Sequence, residues 1–398
     1  MKKIIFFMFF CFSVVSLAIA DNFDARLNDL QRQINQLKAQ KNISSVNLPF
    51  TINGRVAVLG NFYSNKSDNA DYKNNLDLRN AVLSISKDIN NFRFKIRLDY
   101  NGDDGLSISD AYLAYNINDN SSITIGQQIY SNFMENEKHS NAIAVSTYSP
   151  YLNWLPGYLI GVSYSYSNEN FGFFSGIYGN AANETDKKEN TSPLTIASRI
   201  YFSPINDGTT VIHIGADGMY RYFHEDQKIN DDDRKVMYHY GFELAFQYNN
   251  ILMENEFINL FTKYNNLAGM GNEFYSAFGF SNQLVIGLTG EKRKYVSGTF
   301  DFPEVINPIN KNGYGAWEIA FKFARWNGKD TNDNFVDNIG TGYEITAGLN
   351  WFPINEVMIL FNYSRNQKSL ENYFGLYSGY SSDSIKYDVY RIEARMQF

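Results

Sequence analysis

Arg93, Lys95 and Arg97 occupy alternate positions in the run FRFKIRLDY that begins at Phe92. In an extended chain alternate side chains share a face, so the three cations would line one side within about 13 Å, at roughly 3.4 Å per residue. Overlapping positive fields of this kind attract anions, and a guanidinium can hold two oxygens of an oxyanion at once. A second basic group lies near the end of the chain, where Arg391 and Arg395 flank Glu393. If the last strand of a sheet closes on the first, that group comes to lie beside Arg55. Arg199, Lys263 and Lys322 are further candidates on the polar faces of alternating segments. Each of these cations has a second possible use, as an ion-pair partner of Asp99, Asp110, Glu243, Glu318 or Glu344.

Catalytic chemistry finds little support. His139, His213, His224 and His239 are scattered, and there is no nucleophile elbow, phosphate-cradling glycine loop or zinc motif. No enzyme activity, cofactor or metal site is expected. The acidic runs Asp231 to Asp233 and Asp330 to Asp337 lack the glycine placement and ligand spacing of a calcium loop, and read as solvated loops. The sole cysteine, Cys11, falls in the leading segment, which leaves the remainder without disulfides or thiolate ligands.

That leading segment, residues 1–20, reads as a secretory signal. Lys2 and Lys3 precede an apolar run to Val15, and Leu17 to Ala20 supplies a small-x-small cleavage pattern. Without Lys2 and Lys3 the chain carries 33 basic and 42 acidic side chains, a net charge of −9 that argues against nucleic acid as a partner. Residues 21–42 read as a short coiled-coil helix, because Phe23, Leu27, Leu30, Ile34 and Leu37 follow the 4, 3, 4, 3 spacing of an a/d seam. Fewer than three heptads need partners to be stable, which the copies of a homotrimer would supply; a single amphipathic helix lying on another surface is the other reading. Residues 43–49 are a linker.

From residue 50 to 398 the period becomes two. Tyr238, Tyr240, Phe242, Leu244, Phe246 and Tyr248 alternate with His239, Gly241, Glu243, Ala245 and Gln247, and Trp317, Ile319, Phe321 and Phe323 with Glu318, Ala320, Lys322 and Ala324. Repeated segments of about ten residues, apolar on one face and polar on the other, predict a transmembrane barrel with its apolar face outward. The rich supply of aromatics, 29 Tyr and 32 Phe, suits the girdles of such a barrel.

Sixteen antiparallel strands are expected, at 50–62, 75–88, 91–100, 107–117, 122–130, 158–168, 170–180, 193–203, 208–223, 236–248, 251–264, 272–288, 313–326, 340–352, 355–365 and 384–398. Most links after odd strands are long and polar, and those after even strands are short, for example Asn249-Asn250, Pro204-Ile205-Asn206 and Pro353-Ile354. The connection 289–312 breaks this parity. It either folds against the lower mouth or marks a hairpin missing from the count.

Several stretches resemble the phosphate-selective porin family of Gram-negative outer membranes. They are GLTGEKRKY (Gly287 to Tyr295), GAWEIAFKFARW (Gly315 to Trp326) and TAGLNWFPINEVMILFNYSR (Thr346 to Arg365), with weaker likeness in SDAYLAY, ITIGQQ and VIHIGADGMYRY. The closing strand ending on Phe398 is similar to the terminal signal of outer-membrane barrels. The resemblance implies a trimer of sixteen-stranded barrels, each with a narrow pore rich in arginine and lysine. It also makes Ser131 to Gly157 the inward-folded constriction loop, with Glu135, Glu137, Lys138 and His139 as its charged candidates and no arginine. The expectation is an outer-membrane channel for small hydrophilic solutes with a modest bias to anions. Membrane lipid and lipopolysaccharide would surround it, and the N-terminal helix would lie in the periplasm. A surface adhesin or structural protein, using loops 131–157 and 366–383 on an inert barrel, is the alternative.

Overall fold

The computed structural model describes residues 50–66, 72–101, 105–138, 142–181, 193–223, 234–264, 273–330, 341–369 and 384–398. The signal, the helix over 21–42 and the linker over 43–49 lie outside the described residues, as do His139, His224 and most of the acidic loops.

Sixteen strands close into one antiparallel barrel. They are β1 (Thr51–Ser64), β2 (Asn75–Ile89), β3 (Phe92–Asn101), β4 (Gly105–Asn118), β5 (Ser121–Ile129), β6 (Tyr158–Ser167), β7 (Phe171–Tyr178), β8 (Leu194–Asn206), β9 (Thr210–Tyr222), β10 (Arg234–Tyr248), β11 (Ile251–Tyr264), β12 (Glu273–Gly287), β15 (Ala316–Asp330), β16 (Thr341–Ile354), β17 (Val357–Ser369) and β18 (Ser384–Gln397). Closure pairs β1 with β18, placing Arg55 opposite Gln397 and Ala57 opposite Arg395. Outward positions are apolar and open, among them Phe92, Phe94, Phe242, Leu244, Phe246, Phe321 and Ile392. No described helix is long and apolar enough to cross a membrane.

Two turns lie further along than the sequence suggests. β8 continues through Pro204 to Asn206, and β16 through Pro353 to Ile354, each with a register shift just before its end. Proline lacks the N–H a ladder needs, so it is accommodated where the ladder is interrupted, at a bulge.

The odd connection resolves into β13 (Arg293–Val296) and β14 (Thr299–Pro303), a hairpin separate from the barrel sheet. It folds inside the barrel at the short-turn end, so the barrel count stands at sixteen. Arg293 pairs with Glu318 on β15 at 2.8 Å, and Tyr295 Oη lies 2.8 Å from Nδ1 of His213 on β9 and accepts from Ser203 Oγ on β8 at 2.6 Å. Phe300 is wholly buried.

The loop 131–157 also folds inward. It carries α1 (Met134–Glu137) and a 3₁₀ turn at Pro150–Trp154. It rests on the hairpin, since Met134, Ala144 and Val145 share one apolar cluster with Phe300, and Arg293 donates to the carbonyl of Ala142.

Candidate pore lining

The loop is held to the wall by charge and by shape. Lys138 pairs with Glu254 on β11, and Lys322 on β15 pairs with Glu135. The backbone N–H of Glu135 donates to Glu256 at 2.6 Å, and that of Ser146 to Asn362 at 2.6 Å. Thr147 Oγ1 donates to Glu344 at 3.0 Å. Two inward-facing glycines make room for its aromatics. A side-chain carbon at Gly241 would come within 2.2 Å of the Phe133 ring, and one at Gly279 within 2.5 Å of the Tyr151 ring. With no Cβ at either position, both rings can lie flush with the backbone.

Loop and hairpin together cover one side of the lumen. Along β8 and β9 buried residues alternate with partly or fully exposed ones almost without exception, because the inner face is sealed by packing. Along β2 no residue is fully buried, and along β3 only Asp99 is. The open part of the lumen therefore runs along β2, β3 and their neighbours.

This division sorts the basic candidates. Arg93, Lys95, Arg97 and Arg55 all stand on the inner face of the open wall. Arg93 pairs with Asp88 at 2.7 Å near the short-turn rim, Lys95 with Asp110 at 2.7 Å, and Arg97 with Asp99 at 3.0 Å. Arg55 donates to Asn80 Oδ1 at 3.4 Å and, among the described residues, bonds to no carboxylate. It sits in the fields of Arg97 and Arg395. Arg391 and Arg395 adjoin this wall but are almost fully buried. Arg395 forks onto Glu393, and Arg391 donates to Asn61 and Ser364.

Three candidates do not reach the open lumen. Arg199 is only 1% exposed, clamped by Glu243 at 2.8 Å and by the carbonyl of Gly298 at the hairpin turn. Lys322 lies beneath the loop as an anchor for Glu135. Lys263 is on the outer face of β11, since the inner series there is Leu252, Glu254, Glu256, Ile258, Leu260 and Thr262. The alternation of β11 misleads because its inner face is also apolar where Phe133 and Tyr151 pack on Ile258. Of the constriction-loop candidates, Glu135 and Lys138 are spent on the wall. Glu137 accepts from the N–H of Asn132 at 3.3 Å, and burial, helped by the charge of Glu243, holds its carboxyl above the usual range.

Two residues in this part of the lumen were not apparent in the sequence. Arg79 is the extra residue of a bulge, for Ala57 faces Asn80 while Val58 faces Leu78. The bulge turns Arg79 inward to pair with Glu393 at 2.6 Å. Its trace in the sequence is a slip of phase, from Leu76 and Leu78 to Ala81, Leu83 and Ile85. The other is Tyr148, the part of the loop that lies in the fields of Arg395, Arg55 and Arg79. Burial raises its phenol above the ordinary value, Glu135 adds to the shift, and the three arginines oppose it. Tyr148 thus marks the edge of the loop nearest to Arg55, Arg79 and Arg395.

In each of three ion pairs here the cation meets water more than its partner does. Side-chain exposure is 23% for Arg79 against 0% for Glu393, 28% for Lys95 against 7% for Asp110, and 23% for Arg97 against 9% for Asp99. The carboxylates lie behind and the positive groups form the edge.

Solved structures share this architecture at low identity. A loop-deletion mutant of OmpT from Vibrio cholerae aligns with TM-score 0.55 and 9% identity, over 88% of this chain and 99% of that one. OmpF of Salmonella typhi, solved with daunomycin, aligns with TM-score 0.55 and 13% identity, over 88% and 97%. An anion-selective porin from Comamonas acidovorans aligns with TM-score 0.52 and 12% identity, over 88% and 99%. At these identities the likeness establishes the fold alone. No curated protein matches the sequence. The family described as phosphate-selective porin O and P matches residues 50–398, the whole barrel with its inward loop and hairpin. The chain belongs to that family, and it is an outer-membrane porin, a channel-forming protein.

Proposed function

We propose that the channel passes small hydrophilic solutes along the β1–β4 wall with a modest preference for anions. One observation carries this reading: in the pairs of Arg79, Lys95 and Arg97 the cation faces the open lumen and the carboxylate is withdrawn. A pore selects through its bore and the charges at its surface, and here the surface charge is positive although the whole chain is acidic. The bias is modest because each of these cations keeps a carboxylate partner, which cancels much of its field at a distance. Phosphate is one suitable anion, since the arginines present forks for its oxygens. Reversal potentials in a KCl gradient test the sign, with a chloride-side potential expected and a potassium-side potential contradicting it.

The assembly is part of the same proposal. A homotrimer, seated in lipid and lipopolysaccharide with its N-terminal helices joined in the periplasm, is supported by the Phe23 to Leu37 seam and by the trimer form reported for OmpT of Vibrio cholerae. Light scattering of the detergent-solubilised full chain should give three copies, and a single copy would contradict it.

A further inference from the structure

The segment that returns from the lumenal hairpin to β15 carries more exposed apolar surface than a water-facing turn needs. Ile306 is 67% exposed, Ile309 46% and Tyr314 56%. Its course is well defined. Val305 still packs inside the mouth against Phe352, Met358 and Leu360, and its N–H donates to Asn355 in the β16–β17 turn at 2.9 Å. Beyond it the chain makes a 3₁₀ turn at Ile309–Lys311, closed by bonds from the N–H of Gly313 to Pro308 and of Gly315 to Asn307.

Tyr314 then sits on the outer side of the rim. Trp317 and Trp351 are a directly opposed pair on the outward face of β15 and β16, with rings stacked at 5.5 Å. Both indole N–H groups donate to the carbonyl of Tyr314, at 3.2 and 3.0 Å. Stacked tryptophans at the end of a lipid-facing strand mark the level of the headgroups, where an apolar ring with a polar edge is most at home. The segment is fastened to that pair and extends the apolar belt past the last rung of the sheet. Lys311, on the same turn, is exposed and makes no ion pair among the described residues, so it is available to a lipid phosphate. The nearest acidic residues along the chain are Glu304 and Glu318, the latter turned inward onto Arg293, and Glu356 lies in the β16–β17 turn.

We propose that residues 306–314 form a foot that binds the headgroup layer of the leaflet at the short-turn end, with Ile306, Ile309 and Tyr314 seated among the acyl-chain ends. The commitment to lipid rests on continuity with the Trp317–Trp351 pair, and it stands whichever ions the pore prefers. Because β14 runs directly into this segment, the foot also tethers the lumenal hairpin to the bilayer surface.

Cys11 is the only cysteine in the chain, so a Cys11→Ser background allows single nitroxides to be attached without interference. Labels at Ile309→Cys and Tyr314→Cys, in full-length protein in phospholipid vesicles, would be compared with one at Asp119→Cys in the β4–β5 turn. The ratio of oxygen to nickel-chelate accessibility should be several-fold higher at 309 and 314 than at 119. Equal ratios at all three positions would overturn the proposal. Dipolar broadening between labels would overturn it too, because it would make this surface a contact between copies.

Discussion

Arg293 and Glu318 form a two-pronged ion pair inside the barrel, with Nε and Nη2 of the arginine 3.0 and 2.8 Å from the two carboxylate oxygens. The same guanidinium donates to Ala142 in the constriction loop. One residue of the hairpin therefore joins three parts of the molecule: hairpin, wall and loop. Glu318→Gln should cost about 3–5 kcal/mol, the usual result of leaving a buried charge unpaired. Urea unfolding should register that loss, and single-channel conductance should rise as the hairpin leaves the wall. An unchanged conductance would mean that the hairpin does not bound the path.

Gly279 offers a test of the loop that leaves every charge in place. A valine there would drive atoms into the Tyr151 ring, which already lies where the Cβ would stand. Overpacking of this kind costs about 1–3 kcal/mol and should displace the 3₁₀ turn at Pro150–Trp154. Larger conductance with little change in ion preference is the expected outcome, because the basic wall is untouched.

Loop packing should also respond to pH through Glu137. Its folded value is raised, chiefly by burial, so the folded state holds the proton more tightly than the unfolded chain does. The stabilisation is complete below the unfolded value of about 4.3 and is lost as pH rises through the raised folded value. Thermal unfolding of Glu137→Gln against the parent should thus differ in slope above pH 4, the parent losing stability with rising pH where the variant does not. Parallel profiles would remove Glu137 as the cause.

Much of the wall was legible because period two is a local property. In β3 the outward Phe92, Phe94 and Ile96 leave Arg93, Lys95 and Arg97 no face but the inner one. In β10 the same logic places His239, Glu243 and Gln247 inside. Burial was not legible, because it depends on what else enters the lumen. Arg199 and Lys322 have the parity of pore residues, yet Gly298 lies 99 residues from the first and Glu135 187 from the second. Lys263 failed for a related reason. Once the inner face of β11 is covered by aromatics it becomes apolar too, and the two faces lose their contrast. Arg79 was hidden by a bulge that a slip in the spacing of Leu78 and Ala81 records.

Neutralising an outward cation should leave permeation alone. Lys263→Gln changes the net charge as much as any lumenal substitution, but its charge is separated from the path by the barrel wall. The reversal potential of this variant in a KCl gradient should equal that of the parent.

The central claim is that ions pass along the face bearing Arg79, Lys95 and Arg97. The reversal potential of the triple variant Arg79→Gln, Lys95→Gln, Arg97→Gln, in the same gradient, tests it most directly. The carboxylates of Asp110 and Asp99 would then govern the surface, while Glu393 keeps Arg395 as its partner, so the potential should move to the cation side. A potential equal to that of the parent would contradict the claim.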